Sequence, residues 1–479
     1  MNRFRTFAVL VAVSLGAIAC APPAQPSPST GAARSPQHPP PATTEAPTPP
    51  NAPAIAFPVS GVELGVSGRG DDLAVAPRLD GGAYLALTGP AGPILASIDA
   101  NGVPVPGWPL LISGPAFCDP PLVAPDGSLR IVCTHEGATP PNVAYAFDEH
   151  GQALAGWPLR FDGDLQLWER ADVARMVGEE LVVAVTRFRP PADPGDGPDT
   201  VDAAILGIDP AGSMTAGISI AYPCCGVPRL APDGSAYLTL TAGDGPAART
   251  AVASFDRDGM RAGWPIELAG WASAPAFRPD GRAVLAVGSP DAEPTRLALV
   301  DLADGAVDSG SPELPIPATS EWLGAGAEPG MPVVAEDGTA YVVATGSDAT
   351  IYAVDPGGRV LDGWPYQSPV PLQELGRCSP EDTGCGFFRS VPAAGPEASL
   401  LVLFAATDGR GATVAAIERG GALRDGWPVE FEGDEVPQAI SVGPDGTVYV
   451  PTLVEAQAAR LVALAPDGSI RYRVEVARR

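Results

Sequence analysis

The sequence predicts an all-β protein: an eight-bladed β-propeller of four-stranded antiparallel blades, following a signal peptide and a Pro-rich linker. Three observations predict it. A short apolar run closing on an acid recurs at Asp99, Asp148, Asp209, Asp256, Asp301, Asp355 and Glu418, with a weaker copy ending at Ala465. A second motif, Pro-x-x-x-Pro-Asp-Gly, begins at Pro121, Pro228 and Pro275, with a variant at Pro332 and looser copies at Pro392 and near Ala439. The tripeptide Gly-Trp-Pro begins at Gly107, Gly156, Gly263, Gly363 and Gly426.

The chain opens with Arg3 and Arg5 and an apolar run from Thr6 to Ala19, which has signal-peptide proportions and is short for a membrane span. It ends at Cys20 after Ala17-Ile18-Ala19. This resembles the lipobox of bacterial lipoproteins, which implies cleavage before Cys20, lipidation of its sulfur and an extracytoplasmic, membrane-anchored protein. Residues 1–19 are therefore expected to be a signal peptide and 20–53 a lipidated, disordered linker. Ala21–Pro50 holds 11 Pro in 30 residues, a composition that buries no core and extends as polyproline-like chain. Residues 54–479 form the expected propeller domain.

The acid-to-acid steps of 49, 61, 47, 45, 54, 63 and 47 residues count eight units of blade length. Each reads as strand A, an Asp-Gly turn, strand B, a loop, strand C, a second tight turn and strand D. Prolines gather at the start of A and inside D, and strands B and C are expected to lack them, as SLRIV, AYLTL, NVAYAF and TAVASF do. Proline lacks a ladder donor and belongs on sheet edges, so A and D are assigned to the inner and outer margins. The Trp of Gly-Trp-Pro is expected to pack between adjacent rims, its N–H near backbone carbonyls. Strand D of the last unit comes from the C-terminus; whether Ala54–Val59 adds a closing strand is left open by the sequence.

Composition excludes several functions. The net charge is -27, against nucleic acid and anionic lipid surfaces. All 29 basic residues are Arg, which excludes Schiff-base lysines and P-loops. Only His38, His135 and His150 are present, which excludes His-rich metal sites, and no Ser-His-Asp or Cys-His set can be assembled. DANG at Asp99 and DRDG at Asp256 resemble calcium-loop fragments but lack the later ligands and read as turns; no metal site is assigned. The six cysteines after Cys20 lie pairwise close, and proximity predicts Cys118–Cys133, Cys224–Cys225 and Cys378–Cys385.

These repeats resemble the eight-bladed quinoprotein-like (PQQ-like) propellers, in which a Trp per blade docks neighbouring blades; the Thr-Gly usual before that Trp is missing here. Anchor and architecture together also resemble the lipoprotein scaffold of the outer-membrane β-barrel assembly machine, without a close match of repeats. In PQQ-dependent alcohol dehydrogenases a vicinal disulfide lies over the cofactor, as Cys224-Cys225 would.

A–B and C–D turns fall on one face of such a ring, and B–C and D–A loops on the other. The long segments, such as RFRPPADPGDGPDT at Arg187 and PLQELGRCSPEDTGCGFF at Pro371, belong to the second face. Trp168, Trp271 and Trp322 are expected in D–A loops, gathered with Tyr222, Phe387 and Phe388 at the channel mouth beside Glu169, Arg170, Glu321 and Arg389. Such a set suits an organic ligand, a glycan or a partner peptide. The function expected is a monomeric, lipid-anchored propeller that binds an envelope protein, small ligand or glycan on its long-loop face, without catalysis and without a cofactor. The alternative is an enzyme, either dependent on PQQ with calcium or carbohydrate-active through a carboxylate pair.

Overall fold

A computed structural model describes residues 62–64 and 73–478 of the chain, with breaks at 90–91, 115, 136–137, 139, 163–173, 190–199, 218–219, 224–227, 243–247, 290–291, 309–312, 315–331, 345–349, 369–373, 376–387, 390–391, 406–411, 432–434 and 455–457. The described residues form eight blade sheets in sequence order, each built on a long antiparallel B–C hairpin, and one separate two-stranded ribbon. The B and C strands are Ala83–Gly89 with Gly92–Ile98, Leu129–His135 with Asn142–Phe147, Glu180–Arg189 with Thr200–Ile208 and Ala236–Ala242 with Arg249–Asp256. They continue as Arg282–Ser289 with Ala292–Asp301, Ala340–Ala344 with Thr350–Val354, Leu400–Ala405 with Ala412–Ile417 and Val448–Val454 with Ala458–Leu464. This is the eight-bladed propeller of four-stranded blades that the repeat predicted.

B and C strands are apolar on both faces because each blade is covered on both sides. Eight buried clusters result, one per blade-to-blade seam. Leu85, Ile98, Tyr449 and Leu461 join blade 8 to blade 1, and Tyr84, Leu95, Trp108, Leu129 and Ile131 join blade 1 to blade 2. No single centre has to shield the whole chain; each seam is a small core of its own.

Gly-Trp-Pro acts at five of these seams, and every residue of it has a reason. The Trp-Pro bond is cis in all five copies. Trp108 Nε1 donates to Glu149 O at 2.9 Å, Trp157 to Pro210 O at 3.1 Å, Trp364 to Arg419 O at 2.8 Å and Trp427 to Pro466 O at 3.1 Å. Each acceptor is the C–D turn of the next blade. Trp264 departs from this: its Nε1 is buried without an acceptor. The facing turn is one residue longer, closing as Asp301 N to Ala306 O where blade 1 closes as Asp99 N to Val103 O. The glycine is required twice over. Gly363 has φ +89, and a Cβ there would stand 2.1 Å from Gly420 O.

A tyrosine on strand B marks four seams. Tyr84, Tyr237, Tyr341 and Tyr449 are buried and donate to carbonyls of the next blade: Gly127 O at 2.9 Å, Leu302 O at 3.4 Å, Ala398 O, and Gly81 O at 2.6 Å. Arg130 takes that place in blade 2, its guanidinium 5.3 Å from the Trp157 ring.

The proline rule holds at the margins with two corrections. The prolines of Gly-Trp-Pro stand immediately before strand D rather than inside it: Pro109 before Leu110–Leu111, Pro158 before Leu159–Phe161. Central strands are not free of proline, since Pro93, Pro294 and Pro451 lie in C, C and B strands. Pro451 shows why this is tolerated. Its carbonyl accepts from Gln438 N at 2.8 Å, so its nitrogen also faces strand A, and strand A is interrupted there between Pro437 and Ser441.

Strand D of blade 8, Ile470–Arg478, comes from the C-terminus as expected. Among the described residues blades 8 and 1 exchange no strand, and side chains join them. Ser441 Oγ donates to Val75 O at 3.2 Å, and the Tyr472 ring lies against Gly102. The N-terminal addition is Val62–Leu64, a fifth strand on the outer edge of blade 8, parallel to Val476–Arg478. Among the described residues no helix is long and apolar enough to cross a membrane.

Candidate ligand-binding face

The two ends of the ring differ in chemistry. On the tight-turn face the acids serve their own turns. Asp99 Oδ1 accepts from Asn101 N at 2.8 Å and Val103 N at 2.9 Å, and Asp256 Oδ1 from Asp258 N at 2.8 Å. DANG and DRDG are thus turns, with Oδ1 of each first Asp committed to backbone donors. No group of three or more metal-ligating side chains occurs among the described residues. The arginine after a C–D turn reaches the acid of the A–B turn on its own blade: Arg261–Asp233 at 3.2 Å, Arg424–Glu397 at 2.9 Å and Arg471–Asp445 at 2.7 Å. Burial pushes the Asp233 carboxyl up, but the Ser235 hydroxyl, the Ser235 N–H and Arg261 outweigh it and hold it below the ordinary range.

The opposite end carries the expected binding face. Trp271 is the one predicted ligand residue whose side chain the structure describes. It does not stand in a loop. Gly270 alone joins strand D of blade 4, Ile266–Ala269, to the first A segment of blade 5, Trp271–Ala272, which pairs with Gly288 and Val287. The short crossing is held by Thr250 of blade 4, whose hydroxyl donates to Gly270 O at 2.8 Å and accepts from Ala272 N at 3.0 Å. The Trp271 residue is half-buried, and its Nε1 is itself buried, with no acceptor among the described residues.

Tyr222 and Phe388-Arg389 also fall in strands rather than loops. Tyr222 pairs with Val201 in an added segment of blade 3, and Phe388–Arg389 with Glu374–Leu375 in a two-stranded ribbon between blades 6 and 7. Trp168, Glu169, Arg170, Glu321, Trp322 and Phe387 lie outside the described residues, as do Cys20, Cys224, Cys225, Cys378 and Cys385. Of the predicted ligand residues, therefore, only Trp271 and these strand positions lie among the described residues, in blade 3, in blade 5 and between blades 6 and 7. Of the disulfides, Cys118–Cys133 is formed and joins directly opposed residues of strands A and B in blade 2.

Two constellations on this end carry no sequence signal. In blade 8, Glu435 is buried and accepts from Thr452 Oγ1 at 3.0 Å and Arg460 Nη1 at 3.2 Å. The acidic run FEGDEVPQ hides it, because burial of Glu435 depends on the register Glu435↔Val454 and not on composition. In blade 2, His135 Nε2 and Tyr145 Oη are 2.9 Å apart. Burial, then Arg160, holds the imidazole below its ordinary range, and burial raises the phenol, so the bond at neutral pH joins two uncharged groups. His150 sits exposed on the tight-turn face beside Glu149, far from any such set.

No family model matches the sequence, and no curated protein matches it. Among solved structures, a eukaryotic initiation factor is similar at a TM-score of 0.45 and 11% identity, over 82% of this chain and 96% of that one. A periplasmic gluconolactonase of Pseudomonas aeruginosa is similar at 0.39 and 18%, over 73% and 96%. A quinoprotein alcohol dehydrogenase-like protein of Bacteroides thetaiotaomicron is similar at 0.35 and 11%, over 89% and 96%.

Proposed function

We propose that this protein is a lipid-anchored, extracytoplasmic propeller that binds a partner protein or a small organic ligand, such as a glycan, on its long-loop face, without catalysis. The contrast between the two ends supports this reading. The tight-turn face ties its acids to turns and arginines, whereas the other end offers a half-buried indole on a rigid mount. A flat, half-buried aromatic face suits stacking against the face of an organic or sugar ring. The anchor reading rests on the sequence ending at Cys20.

Capture from an envelope extract, together with a glycan array, tests the binding reading. Trp271→Ala is expected to weaken the captured interaction at least tenfold; unchanged capture would remove Trp271 from the site. The competing reading, a quinone enzyme, predicts a bound chromophore and dye-linked alcohol oxidation after addition of PQQ and calcium, and that result would overturn the non-catalytic proposal. Labelling with a fatty-acid analogue, lost in Cys20→Ser, checks the anchor.

A further inference from the structure

Among the described residues, the exposed large apolar side chains are confined to the tight-turn end of the ring. Leu79 and Val103 stand on turns of blade 1. Met214, Val307, Val360, Leu423 and Ile470 are 38–46% exposed and share one structural place. Each follows a C–D turn and stands directly opposite a buried residue at the end of strand C: Ile208, Val300, Val354, Ile417 and Leu464 in turn. Opposed residues share a face of the sheet, so each of the five carries the apolar filling of a seam out to the surface. Single exposed apolar side chains are ordinary, but one place repeated in blades 3, 5, 6, 7 and 8 is not scatter.

From blade 6 to blade 8 these places join into a strip. The glycine of Gly-Trp-Pro lets the C–D turn of the next blade close onto it: a Cβ at Gly363 would stand 2.1 Å from Gly420 O, and one at Gly426 2.0 Å from Asp467 O. The surface therefore runs from Val360 and Asp362 in blade 6 to Leu423 and Asp425 in blade 7, and on to Asp467 and Ile470 in blade 8, all of them exposed. Apolar side chains and acids alternate along it. The arginines among them are mostly taken. Arg419 is paired with Asp337 at 2.9 Å, Arg424 with Glu397 at 2.9 Å and Arg471 with Asp445 at 2.7 Å. Arg359, exposed beside Val360, is the exception.

We propose that this strip is a second docking surface, for a protein segment in which Lys or Arg alternates with apolar side chains. Charge selects the occupant. A second copy of the chain would bring the same acids, and a net charge of -27 on each opposes the approach. An anionic lipid surface is disfavoured on the same ground. A cationic segment meets the acids, while its apolar residues cover Val360, Leu423 and Ile470. The turn bonds of the acids do not cancel their charge. Asp467 Oδ1 accepts from Ser469 N at 3.0 Å, and the Ser469 bonds hold this carboxyl below its ordinary range, so it is ionised at neutral pH. The strip stands at the end of the ring opposite Trp271.

Three synthetic peptides of equal length, alternating Arg-Leu, Arg-Ser and Glu-Leu, test the strip by titration against the full chain. The Arg-Leu peptide is expected to bind about tenfold more tightly than Arg-Ser, and Glu-Leu not to bind. Val360→Ser with Leu423→Ser keeps every charge and should weaken the Arg-Leu peptide by about tenfold. Equal affinity of the Arg-Leu and Arg-Ser peptides, or of parent and variant for Arg-Leu, would show that charge alone attracts the peptide and overturns the proposal. Asp362→Asn with Asp425→Asn alters no packed side chain and gives an independent readout: a severalfold loss at low salt that fades at high salt. An unchanged affinity there also overturns it. Sedimentation of the chain alone covers the remaining occupant, since dimers dispersed by Leu423→Ser would assign the strip to a second copy and overturn the heterologous reading. Failure of the strip leaves the ligand-binding reading untouched, since Trp271 plays no part in it.

Discussion

The seam between blades 6 and 7 and the seam between blades 5 and 6 do the same structural task with different chemistry. The first is aromatic: Tyr341 and Trp364 lie 5.4 Å apart, centroid to centroid, and both donate across to blade 7. The second has neither marker. Val284, Leu297, Leu299, Leu314, Val342 and Val354 fill it, and at its tight-turn end the guanidinium of Arg278 lies against the turn at Gly338. The strand ladders make the blades; what fills a seam is interchangeable. The two seams therefore predict different responses to substitution.

The largest effect is expected at the aromatic seam. Trp364→Ala removes a side chain only 8% exposed and its bond to Arg419 O, and should cost about 3–5 kcal/mol, read as a fall in the urea midpoint. A cost below about 1 kcal/mol would mean that the ladders alone hold blade 6 to blade 7. Second in size is Arg78, on the A–B turn of blade 1. Its guanidinium donates to Ser97 Oγ at 2.7 Å and Asp80 Oδ2 at 2.7 Å and lies 5.1 Å from the Tyr84 ring. Arg78→Met should cost about 1.5–3 kcal/mol, because bonds to a charged donor are lost while Ser97 remains buried.

Tyr341→Phe should cost about 1 kcal/mol for the lost bond to Ala398 O, and it has a pH signature. Burial, reinforced by Asp337, pushes the Tyr341 phenol up to about 12. The folded state then holds its proton more tightly than the unfolded chain, whose tyrosines titrate near the ordinary value of about 10. Its contribution is complete below pH 10 and is lost as pH rises from 10 through 12. Urea midpoints across that window should fall less steeply in Tyr341→Phe than in the parent; parallel curves would show that the phenol does not titrate in the fold.

Much of this was legible in the sequence because repetition averages out local ambiguity. Eight copies of one motif gave the blade count, and Asp-Gly turns gave the face to which each loop belongs. Trp264 was read correctly as a seam residue, but not its missing acceptor, which depends on one extra residue in a turn on another blade. Trp271 was placed in a loop because nothing in GWASAP announces that Gly270 alone makes the crossing; Thr250, which secures it, is 20 residues away in sequence. Pro451 broke the edge rule because the rule concerns which side the missing donor faces, and an interruption in strand A makes that side available. Glu435 was invisible among neighbouring acids, since burial is set by register and not by composition.

The smallest effect is expected at Arg278, and it sharpens the contrast between the seams most. Arg278 occupies the same place in its A–B turn as Arg78, yet it is 3% exposed, and its guanidinium nitrogens make no hydrogen bond. Its contact is an ion pair with Asp280 at 3.1 Å, and that carboxylate is already held by Arg282 at 2.7 Å. Burial, only partly offset by Asp280, lowers the Arg278 pKa, which reports an unfavourable site for the charge. Replacing it removes a desolvated cation without leaving Asp280 alone, the case in which an apolar residue of similar volume is neutral or better. Arg278→Met should therefore shift stability by less than about 1 kcal/mol, or raise it, and the double variant with Arg78→Met should show additive effects, since the two turns share no partner. A cost at Arg278 as large as that at Arg78 would mean that the buried charge, and not the aliphatic filling, holds blade 5 to blade 6.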